Sequence, residues 1–366
     1  MDGAEVHKFG SRIATLDGWR GISILLVVVG HLFDRRYHVA SFSLLENLMF
    51  HLSLWGVNIF FVISGYIITK LALREYDGVG VFSVRNFYLR RIFRIIPPYF
   101  LYLGCIALAS RYSMIVQPYS GIVAAATFTC NWPSMDCDGF VGHTWSLAYE
   151  EQFYIVFPAL FALTCAYSRQ AFAILLACLM AFPFVRYSFH LEETWRAVAT
   201  LSAKFSFICI GTVLAVNEGK IRQLSKHPNA NRISGAVFSL LVVLLLLNAM
   251  PVAASMVHMM SSLNDVILPL GIAWLVGITV HQSNFFTRIL TTPPLLFIGT
   301  ISYSLYLWQQ LFTAPPSDYL IQSPLFSAPL MFVAATLSYF FVERRSKRLG
   351  AWVLRRFGSG PDVHAA

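Results

Sequence analysis

The chain has 366 residues, of which 57% are hydrophobic, 15% aromatic and only 12% charged, with a mean hydropathy of +0.63. Soluble domains carry about 25% charged residues, so the composition excludes a soluble globular protein and, with apolar runs along the whole length, points to an all-α polytopic membrane helix bundle. The net charge of +9 sits in clusters beside those runs and not on a separate polar domain, which speaks against a nucleic-acid partner and for contact with membrane lipids.

A membrane span needs about 20 mainly apolar residues. In chain order the candidates are 16–37, 50–72, 92–111, 119–132, 145–167, 170–188, 199–216, 233–252, 263–281, 293–313 and 325–343. The first reads LDGWRGISILLVVVGHLFDRR. No small-residue cleavage site follows its apolar core, so it is not a signal peptide. Asp17 stands where an N-cap would stand. Arg20 and His31 lie eleven residues apart, close to three helical turns, and so share one face about 16 Å apart. A cation at the inner mouth can hold an anion, and a neutral imidazole deeper in can take a proton from a hydroxyl. A snorkelling arginine and a histidine bonded to a neighbouring helix are the plainer account.

The third candidate is preceded and entered by NFYLRRIFRIIPPYF. Arg90 and Arg94 are i, i+4 neighbours, with Arg91 turned about 100° away. Three guanidiniums at the membrane edge suit phosphates, which they clasp bidentately; a topology signal with anionic-lipid contact is the plainer reading. Pro97 and Pro98 should kink or break the helix just inside the membrane. The 119–132 run is the shortest and leads into the polar loop CNWPSMDCDGFVGH, with Cys130 and Cys137. Two unpaired thiols are the favoured reading there, with pairing open if the loop faces an oxidising compartment. The six cysteines show no metal-ligand spacing, and no metal is expected.

The 145–167 run starts as TWSLAYEEQFYIVFP. Its Glu150 and Glu151 point about 100° apart, so one can face a polar cavity where it orients a histidine or pairs with an arginine. ISYSLYLWQQLF places Tyr303, Tyr306, Gln309 and Gln310 inside a late span, and Glu343 ends the last one. A salt bridge to the following Arg344–Arg348 segment is the simplest role for Glu343.

The loops orient the chain. Lys and Arg concentrate at the N-terminus, in the 70–94 and 217–232 connections and in the tail, whereas 252–262 and 314–324 carry none. By the positive-inside rule the first group is cytoplasmic; Arg35 and Arg36 run against it. Parity then requires one of the eleven candidates not to cross, and 119–132 is the choice. The expectation is about ten transmembrane helices with both termini cytoplasmic, in a membrane domain of residues 1–350 and a cytoplasmic tail of 351–366.

Taken in order, these stretches resemble the integral-membrane acyltransferases of acyltransferase family 3. The opening Leu-Asp-x-x-Arg-Gly with a following His matches LDGWRGISILLVVVGH, FFVISGYIITK matches the second span, and Arg-Arg-x-x-Arg matches FYLRRIFRIIPPYF. Trp-Ser-Leu-x-x-Glu matches TWSLAYEEQ through Trp145 and Ser146, Ser-Tyr-x-x-Tyr-Leu-Trp matches SYSLYLWQQ through Tyr303 and Tyr306, and Glu343 stands where the family has a glutamate. Two departures stand out: Gln309 replaces a frequent histidine, and Arg344 replaces a common proline. A bare membrane module, with no C-terminal hydrolase-like domain fused, is the expectation for this chain, and the resemblance implies a bacterial inner (cytoplasmic) membrane. It implies O-acetylation of a carbohydrate, such as a cell-surface polysaccharide or lipid-linked saccharide, with acetyl-CoA or another acyl-CoA as co-substrate. His31 would be the catalytic base, Arg20 its partner, Glu150 or Glu151 a tuning group, and Arg90, Arg91 and Arg94 the donor-binding residues. A small hydroxylated natural product is the alternative acceptor. A proton- or anion-coupled transporter is the alternative of another class, but the chain lacks the paired repeats it would show.

Overall fold

The computed structural model describes residues 13–34, 44–132, 134–170, 174, 192–250, 254–313 and 324–357. Their regular elements are all helical. In order they are α1 (Ala14–Asp34), α2 (Leu44–Val79), α3 (Val84–Arg111), α4 (Tyr119–Ala126), a 3₁₀ turn at Gly139–Val141, α5 (Thr144–Tyr167), α6 (Glu192–Val216), α7 (Glu218–Ser225), α8 (Ala230–Ala249), α9 (Ala254–His281), α10 (Phe285–Leu290), α11 (Pro293–Thr313), α12 (Pro324–Ser338), a π turn (Tyr339–Glu343) and α13 (Arg344–Phe357). The expected span 170–188, Lys8, Arg12, Arg35, Arg36 and the last residues of the tail lie outside the described residues.

Six stretches among the described residues are long and apolar enough to cross a membrane: 14–33, 44–79, 84–111, 230–249, 264–281 and 326–357. Several helices outrun their apolar segments. α2 continues through Arg74 to Val79 and α3 begins at Val84, because a helix needs only continued backbone bonding, not apolar side chains, once it leaves the hydrocarbon. With eight residues α4 rises only about 12 Å and cannot span. The domain boundary expected at residue 350 falls inside α13, which runs unbroken from 344 to 357.

Glycines set the closest helix crossings. A Cβ on Gly211 of α6 would lie 2.0 Å from the Val62 carbonyl oxygen of α2, and one on Gly299 of α11 would lie 1.9 Å from that of Asp17 on α1. Small residues let membrane helices approach to backbone contact where no hydrophobic gain separates helix from lipid. These crossings gather α1, α2, α6 and α11 around the buried aromatic core of Phe61, Tyr66, Tyr154, Phe157 and Phe207. Outward residues such as Phe100, Leu108, Ile155, Val243 and Val333 remain exposed, as a lipid-facing surface requires.

Cys130 and Cys137 form a disulfide with their Cα atoms 5.5 Å apart. This corrects the favoured reading of two unpaired thiols. Turn bonds fold the loop back on itself: Trp132 N–H donates to the Thr129 carbonyl and Met135 N–H to that of Trp132, each at 3.0 Å. Spacing alone does not show that fold-back.

Candidate functional site

Five helices line a cavity partly open to solvent. Its polar wall is Arg20 from α1, Ser64 from α2, Arg91 and Arg94 from α3, Ser146, Glu150 and Tyr154 from α5, and Ser302, Tyr303 and Tyr306 from α11. Its apolar wall includes Phe60, Phe61, Ile63, Ile67, Ile95 and Leu147. Charged groups in a membrane bundle are costly and face the interior or a watered space. Three guanidiniums against one carboxylate leave this space cationic, and so built for an anion.

Most of these polar groups are held by a neighbour. Glu150 accepts hydrogen bonds from the hydroxyls of Ser64 and Tyr154. The Arg91 guanidinium lies 4.6 Å from the Tyr154 ring centroid, with Nη1 3.5 Å from the hydroxyl. Arg20 Nη1 is 3.8 Å from Asp17 one turn earlier. The hydroxyls of Ser146 and Tyr306 lie 2.5 Å apart, and both reach the His143 carbonyl, at 3.3 and 2.8 Å. Tyr303 donates to the Ile95 carbonyl at 3.0 Å, tying α11 to α3 beside Arg94.

α3 runs as one helix through Pro97 and Pro98, and the prolines have a consequence for its bonding. Pro97 has no N–H to offer the carbonyl of Phe93. That carbonyl is taken instead by Ser346 Oγ of α13 at 2.6 Å. Gly350 makes room for the contact, since a Cβ there would lie 2.6 Å from Phe93 Cβ. The arginine-bearing turn of α3 is thus braced by the last helix of the chain. Glu343, fully buried at the start of that region, accepts from Ser304 at 2.7 Å and from Lys347 at 2.6 Å. The cation is therefore Lys347, inside the expected basic segment.

Several expected site residues sit elsewhere. Arg90 does not line the cavity: its Nη2 is 2.6 Å from Glu75, whose other oxygen takes the Ser83 N–H at 3.0 Å. The pair closes the α2–α3 turn. The expected partnership of Arg90 with Arg94 is replaced by Arg91 with Arg94, three residues apart on the same side of α3. Glu151 and Trp145 do not line the cavity either; Trp145 packs edge-on against Phe61, with ring centroids 6.3 Å apart. His31 is half-buried three turns beyond Arg20 and outside the cavity lining. Its Nδ1 lies 2.8 Å from the Val27 carbonyl. A carbonyl only accepts, so Nδ1 carries a proton. Ser64, Tyr154 and Ser302 line the cavity without having been expected; the i, i+4 spacing of Glu150 and Tyr154 was the available signal. Among the described residues no cluster of His, Cys, Asp and Glu could hold a metal ion.

The family model described as an acyltransferase domain, acyltransferase family 3, matches residues 13–343. Similar curated proteins include "Putative O-acetyltransferase SACOL0978" of Staphylococcus aureus (strain COL), 28% identical over 368 residues, covering 92% of this chain and 58% of that protein. O-acetyltransferase OatA of Staphylococcus aureus (strain NCTC 8325 / PS 47) is 26% identical over 365 residues, covering 92% of this chain and 57% of its own length. The chain therefore spans somewhat over half the length of the curated relatives it matches. No solved structure matches it.

Proposed function

The chain belongs to acyltransferase family 3, and from that premise we propose that it is a membrane O-acyltransferase moving an acetyl group from cytosolic acetyl-CoA to a hydroxyl of a carbohydrate acceptor. The observation that carries this reading is the cationic cavity of Arg20, Arg91 and Arg94 inside an otherwise apolar bundle. The description of the relatives as O-acetyltransferases supports acetyl over a longer acyl group. We keep ten spans, cytoplasmic termini and a bacterial inner-membrane location within the same proposal.

In this reading Arg91 and Arg94 grip donor phosphates, and Arg20, on the same cavity wall, orients the donor. Glu150 is the counter-charge that keeps Arg91 aligned through Tyr154. The base is His31 in its neutral form, with Nδ1 donating to the Val27 carbonyl and Nε2 as the acceptor. It takes the acceptor's hydroxyl proton as that oxygen attacks the thioester carbon. A C–O bond forms, the C–S bond breaks, and the proton passes to the departing thiolate. Phosphate ligands several turns from the base suit a donor whose thioester ends a long flexible arm. The pH-independent test is direct. Membranes holding the protein, incubated with acetyl-labelled CoA and an extracted saccharide fraction, should transfer label to the saccharide, and His31→Ala membranes should not. Equal labelling by the two would overturn the reading.

A further inference from the structure

A second charged cluster lies outside the cavity, one turn further along α2. Lys70 follows the cavity-lining Ile67 by three residues. Its Nζ donates to Glu218 Oε1 at 2.5 Å and to the Tyr66 hydroxyl at 3.0 Å. Glu218 opens α7, and His281 Nε2, at the end of α9, is 3.5 Å from the same carboxylate oxygen. Arg74 and Arg222 both act on Lys70 electrostatically, and Arg222 acts on His281 as well. Lys70 and His281 are 11% and 12% exposed, whereas Glu218 is 30% exposed and both arginines are open to solvent. One carboxylate therefore bridges an ammonium and an imidazole, and two guanidiniums lie close enough to act on that ammonium. A pair that merely stapled three helices together needs one cation. The surplus here is the pattern of a site for a more highly charged anion, and it lies on the connections richest in Lys and Arg.

We propose that Lys70, Arg74, Arg222 and His281 form a phosphate site at the rim of the donor path, and that the Glu218 carboxylate is a placeholder that a donor phosphate displaces. This rests on the acyl-CoA reading and adds to it a second anchoring point, for the phosphomonoester on the donor's ribose, distant from the thioester. A dianionic phosphate offers three acceptor oxygens where a carboxylate offers two, so it satisfies more of the converging donors.

The test compares acetyl-CoA with acetyl-3′-dephospho-CoA in proteoliposomes of phosphatidylcholine. Lys70→Gln should raise KM for acetyl-CoA by about tenfold and leave KM for the dephospho donor unchanged, so that the two donors converge. Lys70→Arg should restore discrimination. Glu218→Gln should lower KM for acetyl-CoA, which loss of a structural salt bridge would not do. Equal increases for both donors, or a higher KM in Glu218→Gln, would overturn the site. Should Lys70→Gln fold poorly, the exposed Arg222→Gln carries the same comparison. Adding phosphatidylglycerol distinguishes the source of the phosphate: a Lys70→Gln effect seen only with that lipid would assign the cluster to headgroups and end the proposal. If the wild type transfers nothing from acetyl-CoA, calorimetric titration with adenosine 3′,5′-bisphosphate still reads the cluster. Binding lost in Arg222→Gln supports the site although the acyl-CoA reading has failed, and absence of binding to the wild type overturns it.

Discussion

Replacing Arg90, Arg91 and Arg94 by glutamine, one at a time, separates two functions that one short segment combines. Arg91 and Arg94 line the cavity, whereas Arg90 is bonded to Glu75 outside it. Losing one charge-assisted hydrogen bond to a phosphate costs about 1.5–3 kcal/mol, equivalent to a rise in donor KM of about 10- to 150-fold. Arg91→Gln also removes the contact with the Tyr154 ring, which should cost some stability as well. Arg90→Gln should behave differently. Glu75 is 9% exposed and Arg90 35% exposed, so breaking that pair falls between a surface and a buried salt bridge, at roughly 1–3 kcal/mol of stability. Donor KM should not move. The assay is initial-rate kinetics over acetyl-CoA concentration in proteoliposomes, with thermal unfolding measured on the same preparations. An Arg90→Gln variant with a normal melting point and a donor KM raised as far as that of Arg91→Gln would refute the placement of Arg90 outside the donor path.

Three further outcomes are expected. The transfer rate should show an acid limb, because a protonated imidazole at His31 cannot accept the acceptor's proton; a flat profile with chemistry rate-limiting would make His31 a hydrogen-bond donor instead. Ser346→Ala should leave the Phe93 carbonyl without its α13 partner and lower stability by about 1–2 kcal/mol, measured as a lower melting point in detergent, and an unchanged melting point would show that the brace contributes nothing. Cys130 and Cys137 should react with a membrane-impermeant maleimide only after reduction; opening their short loop should cost roughly 2–3 kcal/mol on the loop-closure account, and labelling without reductant would contradict the disulfide.

Hydropathy located most helices because apolar side chains and helix length are both tied to the thickness of the hydrocarbon layer. It stopped short at the ends of α2 and α3, where polar residues continue the helix beyond that layer. Arg20 and one of Glu150 and Glu151 were recognisable as candidate cavity groups because a charge within an apolar run needs an interior partner, but which glutamate was not. Which arginine of the α3 segment joins them was not. Arg90 is drawn off by Glu75, fifteen residues earlier and across a turn, and no spacing rule on α3 contains that partner. Ser64 and Ser302 were silent for another reason: a lone serine in an apolar run is ordinary, and only the Glu150 carboxylate across from Ser64 gives it meaning. The disulfide needed the loop's turn bonds, which depend on backbone geometry and not on residue type.

The cavity draws its walls from residues that leave the ribosome at very different times. Arg20 emerges on the first helix, whereas Ser302, Tyr303 and Tyr306 come from α11 and the brace on α3 from Ser346. Until those late helices arrive, the early guanidiniums have neither their aqueous chamber nor its hydroxyl lining. α1 and α3 are therefore made before the residues that complete the cavity around their guanidiniums. A chain arrested before residue 302 should leave Arg91 and Arg94 more accessible to aqueous reagents than they are in the finished bundle. Quality control that senses unburied charge within the bilayer would then act on this protein late, and chiefly on chains that lose α11 or α13.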